Sequence, residues 1–290
     1  MTIAKNFRDY KDEAQAWITL ATGEYYPDIL SDACHLYEPV LIKFGMLLKS
    51  AHSSTNLFTS IMDTPNPWIR TQLCRVFKKY ISPQTPVEML KRKSDTGRIC
   101  AQFGGSFRSV VEAQKRFEAR SIPDEALCAL LWEYKERGKK GYDLAERLFN
   151  VLRSLHVGLI INGPARAGKD VLLGGTFKDY VKPDRPVDFV ISDDDKVLAI
   201  GLIRYDSDRG GAQEDDRIGQ YREVAQEIIG YANSQGMPHI KIIYVNDGPG
   251  LLLGSMWNDY SYIEEQWPGR VKVVTLRMVP DRITSEWLRS

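Results

Sequence analysis

The chain predicts a mixed α/β fold (α/β, or α+β) behind a helical N-terminal region, and three observations carry that reading. Up to about residue 155 the apolar residues recur at helical spacing, whereas beyond it they gather into short runs bounded by turn formers. Residues 188–191 and 197–205 are two such runs flanking Ser192-Asp-Asp-Asp-Lys196, a composition that favours a tight turn, so they read as a hairpin. Two further apolar runs, 240–245 and 270–278, alternate with helical stretches, which implies a mixed sheet with helices on both faces. With 290 residues and 43% apolar content the chain can fill one large core or two smaller ones, and the expected division is 1–155 and 156–290.

From the N-terminus, residues 12–22 and 29–51 have helical periodicity with aromatic and aliphatic anchors. Asp63-Thr-Pro-Asn-Pro67 is a break, 68–80 is a basic amphipathic helix on Ile69, Leu73, Val76 and Phe77, and Ser82-Pro-Gln-Thr-Pro86 ends it. Residues 91–105 are polar, basic and punctuated by glycine, which predicts a loop. Residues 107–119 are helical again, and Pro123 stands early in a helix to about 136. A basic loop is expected at 137–141, then a helix at 142–155 with Leu144, Leu148 and Val151 inward. A strand at 157–161, a loop at 163–168 and a short helix at 170–180 lead to the hairpin. A helix to about 233 follows on Ile218, Tyr221, Val224, Ile228 and Ile229. Asn246-Asp-Gly-Pro-Gly250 closes the strand at 240–245, and a helix at 251–265 precedes the last strand.

Net charge is +1 and decides nothing about partners, but its distribution does. Between residues 70 and 120 twelve basic residues, among them Lys91, Arg92 and Lys93, stand against four acids, while five acids crowd residues 206–217. A basic stretch together with an acid-rich site is what handling a polyanion requires. The four cysteines lack CxxC spacing and read as buried thiols rather than disulfides or zinc ligands. No apolar run has membrane-spanning length, and the charged start MTIAKNFRDYKDEA lacks the apolar core of a signal peptide, so a cytoplasmic location is expected.

The chemistry concentrates in residues 187–217. One strand opens on Asp188 and the next ends at Arg204-Tyr205, after which twelve residues, DSDRGGAQEDDR, hold five acids, two arginines and two glycines. Carboxylates delivered to one end of a sheet repel one another unless a cation neutralises them, and hard divalent cations such as Mg²⁺ take carboxylate oxygen. Asp188, Asp206, Asp208 and Glu214 are therefore the candidate metal ligands. Glycines let backbone approach a phosphate, and a helix N-terminus near Ala212 favours an anion. Arg166, Arg209, Arg217, Lys139, Lys140, Lys91, Arg92 and Lys93 are the candidate DNA contacts.

Gly163-Pro-Ala-Arg-Ala-Gly168-Lys169-Asp170 nearly spells the phosphate-binding loop GxxxxGK[S/T], with Asp170 in place of the hydroxyl. A phosphotransferase built on Gly163–Asp170 is one reading; the other has Arg166 and Lys169 holding a nucleic-acid phosphate. The hairpin that follows is foreign to the parallel sheet a phosphotransferase needs.

The Asp188 hairpin, the Arg217-bearing helix and the Asn246-Asp-Gly-Pro-Gly250 turn together resemble the PD-(D/E)XK nuclease core of type II restriction endonucleases, in particular enzymes cutting GATC-type sites, over roughly residues 163–278. Arg137-Gly-Lys-Lys-Gly-Tyr-Asp-Leu144 is similar to a recognition segment of such enzymes. The resemblance implies a restriction-endonuclease-like sheet core, Mg²⁺-dependent hydrolysis of double-stranded DNA, and a homodimer matched to a palindromic site. It also implies a companion DNA methyltransferase and a helical region that reads sequence. It makes Asp188 the first metal ligand and, by spacing, puts the family's acid-x-lysine pair on Gly201 and Ile203, which can neither bind a metal nor steer water. The second carboxylate is then expected to have migrated to Glu214, Asp206 or Asp208. Lys169 takes the lysine's role, and Arg204, which cannot accept a proton, stabilises charge. A non-catalytic DNA-binding relative, or a disabled form of such an enzyme, stays open beside this reading.

Overall fold

The computed structural model describes residues 5–20, 29–136, 139–164, 168–206 and 212–290. The chain divides into two compact units, residues 23–137 and residues 1–22 with 138–290. The division therefore departs from a boundary at 155. The N-terminal segment and the helix that precedes the first strand both bury their apolar faces in the core of the sheet unit.

The sheet unit starts with a 3₁₀ turn, Phe7–Glu13, running into α1 (Ala14–Trp17), where a longer helix is expected from periodicity. The chain then enters the helical unit: α2 (Ile29–Ser50), α3 (Ser54–Met62), α4 (Pro67–Tyr80), α5 (Val87–Leu90), α6 (Thr96–Phe103), α7 (Val110–Glu118) and α8 (Glu125–Glu136). Its starts are locally encoded. Ser53 Oγ accepts from the Asn56 amide at 3.0 Å, and Asn66 Oδ1 from the Trp68 and Ile69 amides at 2.9 and 3.1 Å. Pro67 stands at the first helical position, where an amide hydrogen would have no partner. Tyr37, Leu41, Phe44, Leu57, Phe58 and Phe77 fill the centre of this unit. The expected loop at 91–105 is mostly helix, because Ile99 is fully buried and Arg98 pairs with Asp95 at 2.8 Å across the first turn. A single buried anchor in a polar segment is a weak periodic signal.

The sheet unit resumes with α9 (Lys139–Leu155), which takes in most of the basic loop expected at 137–141 because its stripe of Leu144, Leu148, Phe149 and Leu152 is buried. Then come β1 (Ile160–Asn162), β2 (Val171–Leu172), α10 (Leu173–Thr176), β3 (Pro186–Val187), β4 (Phe189–Asp193), β5 (Lys196–Tyr205), α11 (Ala212–Ser234), β6 (Lys241–Asp247), α12 (Met256–Gln266), β7 (Val271–Val274), α13 (Val279–Arg282) and α14 (Ser285–Arg289). The helix expected at 170–180 is thus a strand and one helical turn; Gly174-Gly175 weakens the helix, and Val171 finds a partner in Val187.

The five-stranded sheet has the order β1-β4-β5-β6-β7, with β1, β4 and β5 antiparallel and β5, β6 and β7 parallel. This is a mixed α/β architecture. One face takes α9: Phe149 meets Phe189 edge-on at 5.8 Å. Gly201 faces the same way, opposite Phe189, whose ring would lie 1.9 Å from a Cβ there. The other face takes α11: Tyr221 stacks on Tyr244 at 4.4 Å, and the Tyr244 hydroxyl donates to the Tyr221 carbonyl at 2.7 Å. Glu264 on α12 pairs with the buried Arg282 at 2.5 Å and accepts the Phe7 and Val273 amides at 3.1 and 2.9 Å, joining four segments.

Candidate active site

Asp188 sits at the kink between β3 and β4. Its amide donates to the Gly201 carbonyl at 3.1 Å, and its Oδ2 accepts the Ile203 amide at 2.7 Å. Cross-strand partners share a face. The pairing Phe189↔Gly201 therefore sets Asp188 beside Leu202, with Arg204 and Asp206 further along the same, α11-facing side. Gly201 and Ile203, where the acid-x-lysine pair is expected by spacing, belong to the α9 face. The register places Leu202, not Gly201, next to the carboxylate.

A second acid reaches Asp188 from an unexpected direction. β2 and β3 are antiparallel with Val171↔Val187 and Leu172↔Pro186, and the next pair in that register is Asp170 with Asp188. Like charges directly opposite on paired strands destabilise the ribbon. Burial pushes the Asp188 carboxyl above the usual carboxylate range and the Ile203 amide pulls it down; the Asp170 charge adds to the rise, and Arg204 opposes it. Asp170 and Lys169 are exposed, at the mouth of this arrangement.

The ribbon is tied to α11 through Glu227. Its carboxylate accepts the Tyr180 hydroxyl at 3.0 Å, Lys182 Nζ at 2.6 Å and a two-pronged contact from Arg185 at 3.2 and 2.6 Å. Burial raises the Glu227 carboxyl, but these donors outweigh it and hold the group below its ordinary range. At the end of β5 the Arg204 guanidinium bonds Asp206 Oδ1 at 3.1 Å, and Asp206 is buried. Asn246, opposite Arg204 on β6, accepts the Tyr221 hydroxyl at 3.2 Å; its Nδ2 is buried without a hydrogen-bond partner among the described residues.

Asp247, at the end of β6 beside this face, has a different task. Oδ1 accepts the Thr19 and Gly248 amides at 2.6 and 2.7 Å, and Oδ2 the Leu276 amide at 2.9 Å. Three backbone donors saturate the carboxylate and make it a structural tie. The turn after it demands glycine: Gly248 has φ +106°, and a Cβ would meet the Asp206 carbonyl oxygen at 2.4 Å.

The remaining predicted residues divide cleanly. Arg166, Asp208 and Arg209 lie outside the described residues, as do the side chains of Glu214, Arg217, Lys139 and Lys140. The backbone puts Glu214 in the first turn of α11, one turn before Ile218 on the buried stripe of Ile218, Tyr221, Ala225 and Ile228. Lys139 and Lys140 open α9. Lys91, Arg92 and Lys93 are exposed in the helical unit, where Lys91 is ion-paired to Glu88. The phosphate-loop reading lacks its geometry, because Lys169-Asp170 runs into strand β2 instead of a helix N-terminus. The sequence reading named Asp170 only in the phosphate-loop alternative and missed it as a neighbour of Asp188; the signal for that is the pairing of 171–172 with 186–187, which composition does not reveal.

Among the described residues no group of three or more His, Cys, Asp or Glu is arranged to hold a metal ion. Mg²⁺ is commonly held by one or two carboxylates and completes its shell with water and substrate phosphate, so the Asp170–Asp188 pair fits it by donor chemistry. No family model, no curated protein and no solved structure matches this chain.

Proposed function

We propose that the chain is a Mg²⁺-dependent nuclease acting on double-stranded DNA, a type II restriction endonuclease of the PD-(D/E)XK kind. What supports the reading is the pair Asp170 and Asp188: the register of β2 and β3, continued by one residue, sets them opposite each other, and the Asp170 charge acts on Asp188 together with that of Arg204. A bound Mg²⁺ supplies Lewis acidity toward the phosphodiester at such a pair. Asp188 and Asp170 hold the ion, with Glu214 in the first turn of α11 as the migrated third acid. Arg204 stabilises charge on the phosphate, and Lys169, next to Asp170 at the exposed mouth, orients the attacking water. A homodimer on a palindromic site and a companion DNA methyltransferase belong to the same reading. Leu202 standing where a strand carboxylate is usual supports a second reading, a DNA-binding relative that does not cut.

Phage DNA incubated with the protein, with and without Mg²⁺, decides between them. Discrete fragments only with metal, lost in Asp188→Asn and Asp170→Asn, support the nuclease. DNA left intact under all metal conditions while still bound leaves the non-cutting relative.

A further inference from the structure

The helical unit carries an open groove of about 700 Å³ between the end of α4, α7 and α8, remote in sequence from the carboxylate pair. Its charged lining is Lys79, Arg108, Arg116, Arg120 and Asp124, with the buried Tyr80 at its floor. Among the described residues two acids pair with these arginines, and the Arg108 guanidinium also donates to the Tyr80 carbonyl at 2.6 Å. Glu112 is shared between Arg116 at 2.6 Å and Arg108 at 3.5 Å, and Asp124 takes Arg120 at 2.8 Å while capping α8 through the Leu127 amide at 2.9 Å. Lys79 is exposed and has no ion-pair partner among the described residues. The side chains of Arg116 and Arg120 are 56% and 58% exposed, so their remaining N–H donors are open to a ligand. Guanidinium forks match phosphate oxygens two at a time. No exposed large apolar side chain lines the groove, which argues against a membrane surface or a peptide anchored by apolar residues.

We propose that this groove grips the sugar–phosphate backbone of duplex DNA, with Lys79, Arg108, Arg116 and Arg120 on successive phosphates. The proposal rests on the nuclease reading for its choice of duplex DNA and supplies a contact surface separate from the carboxylate site. Phosphate contacts of this kind release counterions, so binding must weaken linearly in the logarithm of salt concentration.

The test is fluorescence anisotropy of a labelled duplex against the full chain in EDTA, where nothing is cut, across a salt series. Lys79→Gln/Arg116→Gln neutralises two exposed cations outside the core; Lys11→Gln/Lys49→Gln neutralises two exposed cations away from the groove and from the candidate DNA contacts. The groove variant is expected to lose about two units of salt slope and about tenfold or more in affinity, with the control near wild type. Equal slopes for groove variant and wild type overturn the proposal, as does a wild type that binds phosphatidylserine vesicles through the groove but no duplex. Cleavage is scored separately with Mg²⁺. A chain that cuts yet binds independently of the groove sinks only the groove, and one that binds through the groove yet never cuts sinks only the nuclease.

Discussion

Asp188, when ionised, works against the fold it belongs to. Because the Asp188 carboxyl is raised above its ordinary range, its ionisation costs stability once pH passes that range, and the cost is recovered as pH falls through the raised value. Asp188→Asn is therefore expected to melt at a higher temperature than wild type at neutral pH without divalent metal. Mg²⁺ should stabilise wild type and leave the variant unmoved; a scanning melt with and without Mg²⁺ reads both, and a variant less stable than wild type without metal counts against the pair. Burial raises the Asp247 carboxyl as well, but three backbone amides depend on it as acceptor. Asp247→Ala leaves three buried amides without an acceptor at about 1–3 kcal/mol each, so a denaturant midpoint lowered by several kcal/mol is expected. Asp188 was readable in the sequence because it opens an apolar run before a turn. Asp170 was not, since its meaning comes from Asp188, eighteen positions away across a two-residue pairing. Asp247 was readable as a strand end, but a carboxylate that caps and one that catalyses look alike before its donors are known.

The β2–β3 ribbon is too short to hold its own position, and Glu227 on α11 does that from outside. Its depressed carboxyl adds stability that is present above the ordinary carboxylate range and lost as pH falls through the depressed value. On acidification, wild type should lose more stability than Glu227→Gln, until the two melting curves converge; parallel curves would contradict the tie. The same variant should lower Mg²⁺ affinity, since it frees the segment that leads into β3 and Asp188. Long periodic elements were plain from the sequence: α2, α4, α11, the β4–β5 hairpin and β6. Short ones were not. A helix at 170–180 and a loop at 91–105 failed because one or two buried side chains, Val171's pairing or Ile99's burial, decide such segments against their composition.

Two cores with no shared member run through the chain, one around Tyr37, Leu41 and Phe44 and the other around Ile242, Tyr244 and Phe189. Each is large enough to unfold cooperatively by itself. Calorimetry is expected to show two transitions. Leu41→Ala should lower one and Ile242→Ala the other, each by about 2–5 kcal/mol, and Mg²⁺ should raise only the second. One transition moved by both substitutions would refute this. That there are two bodies was foreseeable from the change of periodicity near residue 156. Where they divide was not, because α9 and the N-terminal segment are helical in pattern yet buried with the sheet.

The N-terminal segment has one more consequence, for the order in which the chain is made. Phe7 stacks on Trp257 at 4.3 Å, Thr19 donates to Asp247, Thr275 donates to the Trp17 carbonyl at 2.6 Å, and Arg282 to the Lys5 carbonyl at 3.2 Å. Residues 5–19 are thus made well before their partners at 247–282 and wait for them. The intervening helical unit, which has a core of its own, can fold while they wait. In chain order the helical unit is an insertion within the sheet unit, so it can be exchanged for another without rethreading the fold that carries Asp188.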